Sequence, residues 1–280
     1  MIVDVHTHTP RYKDSIPADD AEINTTWRPD RAVKATCTWD EYLKAMEGAD
    51  KCIVFSIKMK GQENPNERTA EFVQAYPGKL IGFLSVHPED DDPLQEIERG
   101  TTELGLKGIK LGPNYQNFDP LSPSACAVYD RAQALGLPLL FHQGTSPQQF
   151  APLEYAHPLM MDKIAAGFPE LRMVMAHMGH PWQVDTIAVI RKHPHVFADI
   201  SGLFYRPWSF YNCMRLATEW NVLSKLLFGT DFPIAAVAES IAALRRINEL
   251  PAASGLPTIP LEEIEEIIHR DSLTLLGLEA

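Results

Sequence analysis

The chain has 280 residues, of which 45% are hydrophobic and 22% charged, and its formal net charge is −12. This composition is typical of a globular protein, and the acidic balance argues against nucleic acid or an anionic membrane as a partner. The four cysteines form no C-x-x-C pair, no basic segment precedes a long apolar run, and no run is long enough to span a membrane. We therefore expect a cytoplasmic protein with reduced thiols and no membrane segment.

Short apolar runs alternate with helix-like segments along the whole chain. Strands are predicted at Ile2–Val5, Lys51–Ile57, Lys79–Val86, Leu106–Leu111, Leu137–His142, Leu171–His177, Val196–Ser201 and Leu223–Gly229. Helices are predicted at Trp39–Gly48, Glu67–Tyr76, Pro93–Leu104, Pro123–Leu135, Met160–Gly167, Trp182–Lys192, Ser209–Trp220 and Val237–Glu249, with closing helices within Leu261–Leu276. Most of these strands lack strict polar alternation, as expected for parallel strands covered on both faces.

Eight strand–helix units in 280 residues predict an α/β protein with the (β/α)8 TIM barrel fold. An open doubly wound sheet is the alternative, because the pattern does not reveal closure. We expect one domain over residues 1–280, with a loop insertion at about 9–38 that is polar and contains three prolines. Following the first strand, this insertion would lie over the barrel mouth as a lid or a subunit contact, or else form a disordered surface loop.

Potential metal ligands recur where the predicted strands end. His6 and His8 stand in "VDVHTH", His142 in "LLFHQG", His177 in "VMAHMGHP" and Asp231 in "FGTDFP". Residues i and i+2 of a strand share a face, so both N-terminal imidazoles can reach one point. Barrels place their chemistry at the C-terminal ends of their strands, so the five side chains are expected to converge there.

Imidazole and carboxylate together suit a divalent ion such as Zn²⁺, Mn²⁺ or Fe²⁺. Such an ion lowers the pKa of a bound water and can make it a nucleophile near neutral pH. On strand seven, Ser201 is preferred to Asp199 as the residue that reaches the mouth, because it stands at the strand end.

The ordered motifs V-x-V-H-T-H, F-H, A-H-M-G-H-P and G-T-D-F-P resemble the amidohydrolase superfamily. Within it they are most similar to the amidohydrolase-related group that includes aminocarboxymuconate-semialdehyde decarboxylase. The resemblance implies one divalent ion, Zn²⁺ by preference and otherwise Mn²⁺ or Fe²⁺, bound by His6, His8, His142 and Asp231. It also implies catalytic roles for His177, as a free acid/base in preference to a further ligand, and for Asp231 as a proton acceptor. Relatives also imply a homo-oligomer, expected here to be a dimer.

Four further residues are candidates for substrate binding. Lys110 ends strand four; it is a cationic anchor for an anionic substrate, a carbamylated bridge to a second metal ion as in binuclear amidohydrolases, or a solvated lysine. Arg206 is suited to gripping a carboxylate with two parallel hydrogen bonds, with a surface ion pair as the equal alternative. Trp182 and Tyr205 follow strand ends and can stack on an aromatic or enoyl substrate.

The first functional hypothesis is a metal-dependent hydrolase that uses metal-activated water on an ester, lactone, thioester or amide of a small organic acid or aromatic compound. The alternative is a non-oxidative decarboxylase or hydratase, a carbon lyase, acting on a carboxylated aromatic or muconate-like substrate. In both cases the partner is a small, anionic molecule. A non-catalytic barrel that binds a metal or ligand is the third hypothesis.

Overall fold

The structure, a computed structural model, describes residues 1–252 and 254–278 of the chain. Its main sheet has eight parallel strands arranged in chain order. They are β1 (Val3–His8), β2 (Lys51–Phe55), β3 (Leu80–Ser85), β4 (Ile109–Leu111), β5 (Leu139–Phe141), β6 (Met173–Met175), β7 (Val196–Asp199) and β8 (Leu226–Leu227). Each predicted strand is found, although most are shorter than predicted.

Backbone hydrogen bonds close this sheet between its first strand and the segment that includes and follows the last. The Val5 amide donates to the Phe228 carbonyl at 3.0 Å, and the Asp231 amide donates to the His6 carbonyl at 2.8 Å. A further amide, that of His8, donates to the Phe232 carbonyl at 3.0 Å. The predicted (β/α)8 barrel is therefore confirmed, and the open sheet is excluded.

A helix follows each strand and packs on the outside of the barrel. These helices are α1 (Trp39–Ala45), α2 (Asn66–Ala75), α3 (Pro93–Thr102), α4 (Pro123–Leu135), α5 (Leu159–Gly167), α6 (Gln183–Lys192), α7 (Pro207–Glu219) and α8 (Val237–Arg245), followed by α9 (Leu261–Ile268) and α10 (Ser272–Leu276). Shorter helical turns occupy Ala18–Asp20, Pro113–Gln116, Leu153–Ala156, Ala176–Gly179, Leu223–Lys225 and Glu249–Ala252. Within the described residues, no helix combines the length and apolar character needed to cross a bilayer.

Local sequence signals set the ends of several helices. The Thr38 hydroxyl accepts from the Glu41 amide while the Glu41 carboxylate accepts from the Thr38 amide, a capping box that begins α1. The Ser122 hydroxyl caps α4, which has Pro123 at its first position and ends at Gly136 with φ 68°. A left-handed residue after the last turn is readily supplied by glycine, so this helix was predictable from the chain alone.

Two apolar clusters hold the barrel together. The larger one packs strands against the surrounding helices, and Ile109, Leu111 and Phe141 belong to it. The smaller one fills the barrel interior with side chains that include Val5, Phe55, Leu140 and Val174. Leu273 and Leu276 of α10 join this inner cluster, so the C-terminal helix packs against the interior of the barrel below the strand ends. Alternate residues of a strand thus serve different clusters.

Residues 9–38 include more structure than their polar sequence suggests. Ile23–Asn24 and Val33–Lys34 form a short antiparallel pair, and Arg28 is buried. Its guanidinium pairs with Asp30 at 2.6 Å and with Glu239 on α8 at 2.8 Å. Burial opposes the charged form, but the hydrogen bonds that Arg28 donates to these two carboxylates leave its pKa above its ordinary value. The insertion is thereby tied to the barrel wall.

Candidate metal centre

A register irregularity in β1 directs two imidazoles into the barrel mouth. Pairing with β2 is interrupted between Asp4 and Thr7. Before the interruption Val3 belongs to the inner cluster, whereas after it Thr7 hydrogen-bonds Tyr42 on the helix side at 2.8 Å. Such irregularities re-aim side chains next to functional sites. As a result His6 and His8 both face the mouth, as predicted from their spacing.

The Asp231 carboxylate lies between these imidazoles. Its Oδ1 is 3.3 Å from Nε2 of His6 and also 3.3 Å from Nε2 of His8. The ligand atoms of all three residues lie within 4.8 Å of one another, close enough to hold one metal ion. Burial would raise the pKa of Asp231, but electrostatic interactions with His177 and His6 hold it well below its usual range.

Asp199 orients His6 from below. Its Oδ2 accepts a hydrogen bond from Nδ1 of His6 at 2.8 Å, and Oδ1 accepts from the His177 backbone amide at 3.0 Å. Because Nδ1 carries the proton, Nε2 of His6 presents its lone pair toward Asp231. A carboxylate that fixes the tautomer of a ligating imidazole is typical of metal sites. Burial lowers the pKa of His6 to about 4, so the ring is neutral and able to ligate.

His142 approaches from β5. It stands two positions after Leu140 of the inner cluster, and its Nε2 is buried without a hydrogen-bond partner among the described residues. Its ring centroid lies 5.1 Å from that of His177 and 4.7 Å from that of Tyr115. Burial lowers its pKa well below the ordinary value. A neutral imidazole with an unpaired buried nitrogen fits the role of a metal ligand.

His177 sits just beyond β6 in an unusual backbone conformation. Its φ of 56° and ψ of 27° are left-handed, a state that non-glycine residues adopt at a cost and mostly near functional sites. Nδ1 donates to the Ser201 carbonyl at 3.2 Å and lies 2.9 Å from its hydroxyl. Nε2 is therefore the free nitrogen, and it lies 4.0 Å from Oδ2 of Asp231.

Lys110 lies inside the barrel rather than on the cavity surface. It is fully buried, its Nζ lies 4.7 Å from the centroid of the Phe55 ring, and the described residues offer that nitrogen no hydrogen bond. Burial lowers its pKa to about 7, against the opposing effect of Asp199 and Asp231. The structure thus gives Lys110 no solvent contact, which does not fit a solvated lysine. Lys110 also does not line the cavity, where a cationic anchor would meet an anionic substrate.

A cavity of about 620 Å³ opens at the mouth above these groups. Two predicted substrate contacts, Tyr205 and Arg206, line it together with His6, His8 and His142. The Arg206 guanidinium stacks on the Tyr205 ring at 4.7 Å and donates to the Trp27 carbonyl at 3.2 Å. Within the described chain it forms no ion pair, so the predicted alternative of a surface salt bridge is not seen.

Part of the insertion forms a wall of this cavity. Thr26, Trp27 and Ala35 all line it. Trp182, in contrast, does not reach the cavity surface: its ring packs against His157 with centroids 5.0 Å apart. The prediction that Trp182 stacks on substrate therefore finds no support, because this side chain, just before α6, packs against His157 instead.

Several site residues were ranked low or missed in the sequence. The sequence favours Ser201 over Asp199 as the residue of strand seven that reaches the mouth, yet Asp199 contacts both His6 and His177. Its position at the end of an apolar strand was the available signal. Burial opposes ionisation, but the electrostatic interaction and the hydrogen bond with His6 hold the pKa of Asp199 well below its usual range. Tyr115 and Gln143, which also line the cavity, carried no recognisable pattern.

A closed (β/α)8 barrel with imidazole and carboxylate groups gathered at its C-terminal mouth defines the class of this protein. Comparison with protein families then identifies it more closely. The model of the family described as "Amidohydrolase" matches residues 3–278. The chain belongs to the amidohydrolase family, and the resemblance drawn from its motifs is confirmed.

One curated relative is a 2-amino-3-carboxymuconate-6-semialdehyde decarboxylase from Dictyostelium discoideum. It is 25% identical over 130 residues, a stretch that covers 41% of this chain and 36% of the relative. The matched region thus spans only about a third of that enzyme.

Solved structures of similar fold cover nearly the whole chain. A probable 2-pyrone-4,6-dicarboxylic acid hydrolase from Acinetobacter baumannii, solved with citric acid bound, has a TM-score of 0.68 at 16% identity, covering 99% of each chain. A dihydroxybenzoic acid decarboxylase from Polaromonas sp. JS666, solved with manganese and the inhibitor 2-nitroresorcinol, has a TM-score of 0.64 at 15% identity, covering 100% of this chain and 98% of its own. At these identities the likeness establishes the fold alone.

Proposed function

We propose that the protein is a metal-dependent carbon lyase that releases CO₂, without oxidation, from a small carboxylated aromatic or muconate-like acid. The observation that carries this proposal is the pairing, in one cavity, of an imidazole–carboxylate cluster with Arg206, a cation that has no carboxylate partner in the described chain. The curated relative and the Polaromonas structure are both named decarboxylases. They favour this alternative over the hydrolase that was the first expectation.

In this proposal His6, His8, His142 and Asp231 hold one divalent ion. Their nitrogen and oxygen donors suit Zn²⁺, Mn²⁺ or Fe²⁺, and the manganese in the Polaromonas structure raises Mn²⁺ beside the expected Zn²⁺. When bound, such an ion supplies electrostatic stabilisation to substrate oxygens next to the breaking bond. A second ion bridged by carbamylated Lys110 remains the alternative and is testable by intact mass.

The side chains around the cluster have separate tasks. Arg206 binds an acidic group of the substrate through its planar guanidinium, and Tyr205 packs on the face of an aromatic or conjugated substrate. When the bond to the carboxylate carbon breaks, its electron pair stays on the substrate carbon and CO₂ departs. The imidazolium form of His177 delivers its Nε2 proton to that carbon, and the ring regains a proton from water in the cavity. The Asp231 carboxylate, 4.0 Å from the same nitrogen, stabilises the imidazolium.

A panel of small carboxylic acids tests this proposal directly. Purified protein, metal-stripped protein and protein reloaded with Zn²⁺, Mn²⁺ or Fe²⁺ are incubated with hydroxybenzoates and unsaturated dicarboxylates while CO₂ is measured. We expect release that needs the metal and falls by about 10²–10⁴-fold in His177→Asn, the range for loss of a general acid–base. Release that survives both metal removal and this substitution would refute the proposed roles.

Hydrolysis is the second candidate function. The Acinetobacter structure is named a probable hydrolase of a cyclic dicarboxylic acid, and the proximity of Asp231 to His177 also suits removal of a proton from water. Esters, lactones, thioesters and amides therefore belong in the same panel, with acid production as the readout. Acid release from these compounds, without CO₂ from any carboxylic acid, would select hydrolysis instead.

We further propose that the protein is a homodimer located in the cytoplasm. The first proposal rests on the family resemblance, and the second rests on four free cysteines, which match a reducing compartment. Sedimentation velocity of the purified chain and fractionation of the source cells test them separately.

A further inference from the structure

Gln143 is a buried amide on the cavity whose hydrogen-bonding groups find no partner in the protein. The residue follows His142 directly, has no solvent-exposed surface, and lines the cavity. Neither Nε2 nor Oε1 has a hydrogen-bond partner among the described residues. Leaving a buried polar group unpaired destabilises the folded protein, so proteins seldom keep one without a use.

Another glutamine nearby shows how this fold satisfies an amide that serves structure. Gln116 is also buried, and its Oε1 accepts from the Gly112 amide at 2.7 Å. Its Nε2 donates to the carbonyls of Lys58 at 2.6 Å and Val86 at 2.9 Å. Of these two buried glutamines, Gln143 lines the cavity and Gln116 does not.

The backbone on either side of Gln143 is held firmly. Gly144 has a φ of 104°, and a Cβ at this position would come within 2.3 Å of the His180 carbonyl oxygen. The Gly144 amide donates to the Ala156 carbonyl at 3.2 Å, and the Thr145 amide donates to the His180 carbonyl at 2.7 Å. These contacts fix the loop after β5 against two neighbouring loops. The backbone that carries the Gln143 side chain is therefore in place before any ligand arrives.

We propose that the Gln143 amide recognises a hydroxyl group of the substrate and is thereby a specificity-determining residue of this cavity. An amide offers both a donor and an acceptor, and a hydroxyl group satisfies both because it also donates and accepts. A second carboxylate would satisfy only the Nε2 donor. The inference rests on the proposed carboxylic acid substrate and narrows it to a hydroxylated acid.

The test compares ligands that differ by one hydroxyl group. Binding of benzoate and of 2-, 3- and 4-hydroxybenzoate to the metal-loaded protein is measured by calorimetry, with Gln143→Met as the variant. We expect at least one isomer to bind about tenfold more tightly than benzoate, the gain expected from a hydrogen bond of about 1.4 kcal/mol. In Gln143→Met this ratio should fall to within about twofold.

Thermal unfolding without ligand provides a second measurement. Methionine has a similar volume and removes the unpaired amide, so Gln143→Met should raise the melting temperature. The matched control Gln116→Met breaks three hydrogen bonds and should lower it. An equal loss of stability in both variants would show that Gln143 serves structure and would overturn the proposal.

Two further outcomes also decide against it. A hydroxybenzoate preference that persists in Gln143→Met would assign that preference to other groups, the metal included. Equal binding of benzoate and all three hydroxybenzoates by the unmodified protein would show that no group in the cavity recognises the hydroxyl, and would also overturn the proposal. This measurement does not depend on whether the variant folds. CO₂ release is not used in either measurement, so the lyase proposal and the Gln143 proposal can fail separately.

Discussion

Replacing Lys110 with methionine should stabilise the protein. The ammonium group is fully buried, has no hydrogen-bond partner in the described chain, and has its pKa lowered from 10.5 to about 7 by burial. A shift of this size corresponds to roughly 5 kcal/mol, at about 1.4 kcal/mol for each tenfold change in proton affinity. Methionine keeps the length and apolar stem of the side chain without the charge.

The pH dependence of this gain has a definite sign. The pKa of Lys110 is lower in the folded state, so burying its ammonium group destabilises the unmodified protein in a pH-dependent way. This destabilisation is absent above about pH 10.5, grows as pH falls, and is complete below about pH 7. Urea unfolding of the metal-free protein should therefore show a gain of several kcal/mol near pH 7 for Lys110→Met. The gain should shrink steadily as the pH approaches about 10.

Lys107→Met provides the control, since Lys107 is an exposed residue in the same segment. This substitution should change the free energy of unfolding by less than about 0.5 kcal/mol at any pH. Lower or pH-independent stability in Lys110→Met would refute the reasoning. The carbamylated bridge would instead be established by two results together: Lys110→Met loses its bound metal, and the mass of the unmodified protein shows a CO₂ adduct.

Three further predictions concern the site and its wall. Asp199→Asn should weaken metal binding by about 10–100-fold in a chelator competition, because His6 loses the carboxylate that fixes its tautomer; unchanged affinity would contradict this role. Arg206→Lys should raise the KM for an acid substrate about tenfold and leave kcat largely intact, since lysine lacks the two-pronged guanidinium geometry; an equal loss in kcat would place Arg206 in the chemical step. Arg28→Met should lower the free energy of unfolding by about 1–3 kcal/mol because it leaves Asp30 and Glu239 without their buried partner, whereas Arg31→Met at the exposed end of the same network should cost less than about 1 kcal/mol.

The fold was accessible from the chain because its signals are local. Apolar runs, helix caps such as Ser122 and a terminating glycine such as Gly136 are set by neighbouring residues, and they gave every barrel strand. The ends of strands were less accessible. The eighth strand was predicted over Leu223–Gly229 but covers Leu226–Leu227, with a helical turn at Leu223–Lys225, because pairing with β7 rather than hydrophobicity sets its length.

The sequence by itself determined the barrel, the family, the position of His6, His8 and Asp231 at strand ends, and the shared face of His6 and His8, since these follow from strand order and from the period of two along a strand. Tertiary structure decided what surrounds that cluster. The irregularity in β1, the left-handed backbone of His177 and the distant packing of Trp182 depend on contacts between segments far apart in the chain. The same is true of Gln143, because a buried amide is recognised as unpaired only when all of its neighbours are in place.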